Sequence, residues 1–134
     1  MNITNKILIV INIFFLLYYS FQLLVFTDEF ALSNLGAFNH AIAGLSEVIG
    51  IIFLSLAISL FLILINSIKS QLPLFITILL IQLLIFINFL RYIFTDSPGE
   101  TTMESITLNA IIFFFGFISS GIFLYKNYKI LKQF

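Results

Sequence analysis

The sequence predicts an all-α fold: an integral membrane four-helix bundle with both termini on the cytoplasmic side. Three observations predict it. The chain is 61% apolar and 9% charged, whereas a soluble domain is closer to half apolar and a quarter charged. Its apolar residues gather into four continuous segments, each long enough to cross roughly 30 Å of hydrocarbon. Its lysines and acids alternate between the links, so that Lys6, Lys69, Lys126, Lys129 and Lys132 fall on one side and Asp28, Glu29, Asp96, Glu100 and Glu104 on the other. The positive-inside rule assigns the lysine side to the cytoplasm.

The expected spans are Ile7 to Phe26, Ala41 to Ile65, Leu72 to Phe94 and Ile106 to Tyr125. In lipid only helices or closed barrels satisfy every backbone N–H and C=O. A barrel requires alternating polarity, and continuous runs such as Ile49 to Leu54 choose helices. The first span is too long for a signal-peptide core and no small-x-small cleavage site follows it, so it is read as retained. Asn66 to Gln71 is a short polar turn, with Pro73 in the first helical turn after it, where the missing N–H costs nothing. Thr27 to Asn39 carries Phe30, Leu32, Leu35 and Phe38 at spacings that admit either a short helix at headgroup level or a plain loop. Thr95 to Ser105, with Pro98 and Gly99, reads as a turn capping two helices. Residues 1–134 form one domain with no linker.

Composition also excludes classes of function. Without cysteine there is no thiol redox centre, thiolate zinc site, iron-sulfur cluster or disulfide relay. A single histidine assembles neither a multi-histidine metal site nor a haem site, so no metal and no cofactor are expected. Zero net charge offers nucleic acid no overall attraction. Abundant Phe, Ile, Asn and Lys suggest an AT-rich bacterial coding sequence, and with it a bacterial inner membrane.

Polar groups inside lipid cost free energy unless paired, so they mark where function is to be sought. Counted from the cytoplasmic turn, Glu47 and Arg91 both come out about 27 Å away by helical rise, which puts them at one depth near the outer edge of the hydrocarbon. Asn88 shares a face with Arg91, and Gln22 and Asn109 come out at about 24 Å on the first and last spans. Every span therefore contributes to one expected layer, with Tyr18 and Tyr19 a turn below Gln22 and His40 two turns outside Glu47. The layer is read either as a structural ion pair with interhelical hydrogen bonds or as a ligand-binding chamber in the outer leaflet. Gly44 and Gly50 flank Glu47 on one stripe, and Gly116 and Ser120 are spaced as small-xxx-small, so both stripes are expected to be packing seams.

The stretch Ala43-Gly44-Leu45-Ser46-Glu47-Val48-Ile49-Gly50 resembles the glycine-x-x-glutamate-x-x-glycine signature in the second helix of the DoxX-like membrane protein superfamily. Ile51 stands where that family often has a further glycine, and its glycine-rich terminal motif with serine and aspartate is absent, so the chain resembles a divergent member. The resemblance implies four transmembrane helices and a non-catalytic membrane subunit, since some relatives serve quinone-linked redox complexes. No nucleophile-base set, phosphate loop or metal cluster is present to suggest an enzyme. The expected function is an accessory or assembly subunit of an inner-membrane complex, its partners being the lipid bilayer and other subunits or further copies of the chain. The alternative is a binder or carrier of a lipid, quinone or small amphiphile.

Overall fold

A computed structural model describes residues 2–133. Every regular element among them is helical: α1 (Ile3–Leu24), α2 (Thr27–Asn34), α3 (His40–Ile65), α4 (Leu72–Phe94) and α5 (Met103–Leu131). All but α2 are long and apolar enough to cross a membrane.

The helix starts have local causes. The side chains of Asn2, Asn39 and Thr102 accept hydrogen bonds from the N–H groups of Asn5, Ile42 and Ser105, satisfying donors that a helix cannot satisfy internally. Pro73 occupies the first turn of α4. Asp28 and Glu29 lie in the first turn of α2, where negative charge complements the helix dipole. The two-way expectation for Thr27 to Asn39 resolves as a short helix followed by an extended link, with Ala31 fully buried beneath it.

Both bounds of the first and last spans differ from the sequence expectation, with α1 ending at Leu24 and α5 starting at Met103, and α3 starts one residue early, at His40. α1 begins at Ile3, and α5 runs to Leu131. Hydropathy marks where lipid solvation ends, not where the helix ends. Lys126, Lys129 and the residues between them are good or neutral helix formers, and their charged tips reach water from turns that extend past the hydrocarbon.

α1 packs on α3, α4 packs on α5, and α1 meets α5 between these pairs, while α3 and α4 form no extensive contact despite their short link. The first and last helices of the chain are therefore central and α3 and α4 flank them. Burial follows: 44% of the most apolar window of α5 is buried against 17% of that of α4. Phe123 stacks on Phe75 at 4.4 Å between ring centroids, and Ile9, Leu16, Leu60 and Ile78 are almost wholly enclosed.

The two ends differ in character. At one, the start of α1, the α3–α4 link and the last turns of α5 surround a common recess, and Ser70 Oγ donates to the Gln133 carbonyl at 2.6 Å. At the other, α2 and the two remaining links meet. Gly36 there has φ +71°, and a Cβ at that position would lie 1.7 Å from the Glu100 carbonyl oxygen, so only glycine lets the two links touch.

Candidate functional site

Polar side chains are concentrated along the α1–α5 seam. The two helices run in opposite directions, and α1 presents Asn5, Asn12 and Tyr19 at seven-residue intervals. That interval returns a side chain to nearly the same face of a helix packed at a small crossing angle. Each residue meets a polar partner on α5: Asn5 Nδ2 donates to Asn127 Oδ1, Asn12 Nδ2 to Ser119 Oγ at 3.1 Å, and Tyr19 Oη to Asn109 Oδ1 at 2.8 Å. The seam is a ladder of three polar rungs separated by apolar layers, each rung spaced by about 10 Å of helical rise.

The middle rung is the most connected. Asn12 Nδ2 also donates to the Leu8 carbonyl at 2.9 Å, while Asn12 Oδ1 accepts from Gln82 Nε2 at 2.9 Å and from Ser120 Oγ at 2.7 Å. The same Ser120 hydroxyl lies 2.6 Å from Gln82 Oε1. Its one proton is thus placed between two acceptors. Gln82, on α4, is completely buried, and Gly116 explains how it reaches the seam: a Cβ there would sit 2.9 Å from Gln82 Nε2 and 3.1 Å from the Phe15 ring. Three helices are thereby locked in register at one point.

The rung at the acidic end extends into α2. Asn109 Nδ2 donates to Asn34 Oδ1 at 2.8 Å and to the Ser105 carbonyl at 2.9 Å, and Ser105 Oγ donates to Asn34 Oδ1 at 2.7 Å. Tyr19 is enclosed by aromatic rings, with centroids 4.8 Å from Phe113 and 5.3 Å from Phe15. Beside this rung lies a cavity of about 170 Å³ walled by Phe30, Phe53, Phe89 and Phe113 and floored by Tyr19 and Asn109. A second recess of about 380 Å³ that Asn109 also lines includes Tyr18, Gln22 and Glu104. The rung consists of amides and hydroxyls whose donors are spent on one another and on nearby backbone carbonyls, a composition suited to holding helices and to orienting an amphiphile.

The expected layer is only partly assembled. Tyr19 and Asn109 are joined directly, and Gln22 and Tyr18 lie near them, Tyr18 edge-on to Tyr19 at 5.2 Å. Glu47, Asn88, Arg91 and His40 are exposed on the outside of the chain. Glu47 and Arg91 do not share an interior, and the Arg91 guanidinium instead sits over the Tyr92 ring at 4.7 Å. The reason is topological: equal depth brings two residues together only if their helices pack, and α3 and α4 are held apart by α1 and α5. Gly50 abuts Leu23 and Leu24 of α1, whereas Gly44 faces open space. Asn5, Asn12, Gln82, Ser119 and Asn127 were outside the expected layer. Their signal is the seven-residue polar spacing on α1 and the matching polar positions of α5 in reverse order. Among the described residues no group of acidic or histidine side chains is placed to hold a metal ion.

No family model matches the sequence, and comparison with curated proteins and with solved structures gives no match.

Proposed function

We propose that this chain is a non-catalytic subunit of a membrane assembly, and that the outer face of α3 is where a neighbouring membrane chain docks. The observation that carries this reading is the exposure of Glu47 within apolar helix sequence. A carboxylate facing acyl chains costs up to about 3 kcal/mol at the bilayer centre and less towards the interface. A partner helix supplying a hydrogen-bond donor removes that cost. Gly44, one turn away with nothing near its Cβ position, leaves room for close approach. Asn88 and Arg91 form a second outward polar set on α4. In this reading the lysine end faces the cytoplasm of a bacterium by the positive-inside rule, and the likeness of Gly44, Glu47 and Gly50 to the DoxX-like signature agrees with a subunit role in a redox-linked complex.

A second reading is favoured by the aromatic cavity beside Tyr19 and Asn109. At about 170 Å³ it is smaller than a typical drug-sized site, but it suits the end of an acyl or isoprenoid chain, which would make the protein a lipid or quinone carrier.

One preparation separates the two. A photo-crosslinking residue at Val48, which is exposed beside Glu47, is expected to capture a protein in the native membrane, and native mass spectrometry of the tagged chain in mild detergent is expected to show added subunit mass. A chain that runs alone and carries only a lipid or quinone would transfer support to the carrier reading. One that crosslinks to nothing and carries nothing would sink both.

A further inference from the structure

The recess at the lysine end is used by neither reading above. It encloses about 770 Å³ and brings together Lys6 from α1, Lys69 from the α3–α4 link and Lys126 from α5. None of the described residues around it is acidic. Three lysines from three separate elements thus line one concavity, whereas Lys129 and Lys132 lie outside it. The opening turn of α1 forms part of the wall through Asn2 and Asn5, adding the positive end of a helix dipole. Asn66 and Ser67 supply neutral polar groups. Apolar Leu64 and Ile65, at the end of α3, also line the recess, and Ile65 is exposed to the surroundings that acyl chains occupy.

We infer that this recess binds the phosphate group of an anionic phospholipid from the leaflet at that end. Basic clusters spread over a bundle end hold anionic lipid diffusely. Convergence in a recess makes a stoichiometric site instead, and that difference is measurable. Free phosphate presents the same chemistry without the tails, so the two sources need separate arms.

The test uses the full chain in phosphatidylcholine nanodiscs containing about ten mole per cent phosphatidylglycerol, an anionic-lipid content within the range that attracts basic segments, with retained lipid counted by native mass spectrometry. One phosphatidylglycerol per chain is expected to be retained. Lys6→Gln with Lys69→Gln should weaken retention roughly 25-fold, about fivefold per charge. Lys129→Gln with Lys132→Gln removes the same charge from the same end and should leave retention within about twofold. In the second arm, detergent-solubilised chain is titrated with inorganic phosphate. Saturable phosphate binding lost in the first pair alone, without lipid retention, would keep the phosphate site and assign it a soluble source. Equal loss in both pairs, or no saturable binding of either probe, would overturn the inference.

Discussion

Replacing Asn12 by leucine removes the hub of the middle rung at nearly constant volume. Three of its hydrogen bonds cross to other helices, to Ser119, Ser120 and Gln82. Such bonds average about 0.6 kcal/mol in membranes, so together they account for about 2 kcal/mol. Gln82 Nε2 also loses its acceptor inside a fully buried site, and an unpaired buried donor adds about 1–3 kcal/mol. Asn12→Leu should therefore cost about 3–5 kcal/mol. Gln82→Leu should cost only about 1 kcal/mol, because Ser120 and Asn12 keep their mutual bond. The double variant should cost less than the sum by at least about 0.5 kcal/mol, since the two side chains share partners. Reversible unfolding in mixed micelles with increasing dodecyl sulfate, followed by circular dichroism, measures all three. Strict additivity, or an Asn12→Leu variant within about 0.5 kcal/mol of the parent, would refute the hub.

Three further outcomes are expected. Gly36→Ala should destabilise by at least about 2 kcal/mol, from a left-handed backbone and collision with the Glu100 carbonyl, whereas Gly44→Ala in open helix should stabilise the isolated chain by up to about 1 kcal/mol; the same unfolding assay ranks them. Single cysteines in place of Ser97 and Lys69 should react with a membrane-impermeant maleimide from opposite sides, and labelling from one side would break the four-span arrangement. Asp28 is held below the ordinary carboxylate range, chiefly by the neighbouring Glu29, whose side chain when protonated and whose backbone N–H, the donor that persists at neutral pH, both donate to it. A depressed value means that the folded state favours the ionised form, so its contribution is present at neutral pH and is lost as pH falls through the folded midpoint. An NMR titration should put that midpoint below that of an aspartate in an unstructured peptide.

The extent to which this architecture can be read in the residues varies with the physical signal. Bilayer thickness imposes a length on each apolar run, so α3 and α4 are legible almost to the residue, with α3 starting at His40 and α4 at Leu72. The overrun of α5 to Leu131 is not, because its last turns are helical but no longer apolar. Depth along a helix is equally legible, since it needs only a rise per residue. Which helix faces which is another matter. Glu47 and Arg91 share a depth but not an interior, because a short link constrains where the next helix starts and not which helix it packs against. Charge drew attention to these residues, while the buried polar structure is carried by neutral amides and hydroxyls. Asn12 and Gln82 sit singly in apolar surroundings and stand out only when α1 is compared with α5 in reverse order. Tyr19 and Asn109 were accessible because both are polar and at matching depth on helices that do pack.

The pairing of the first helix with the last bears on how the molecule is made. Asn5, Asn12 and Tyr19 find their partners 122, 107 and 90 residues downstream. During synthesis α1 enters the bilayer before its partner helix has been translated, so its amides must be tolerated by lipid, water or an insertase in the interval. Closure of the seam must then wait for α5, and a ribosome stalled before α5 would leave a nascent chain with its hydrogen-bonding stripe uncovered, a ready signal for quality-control proteases.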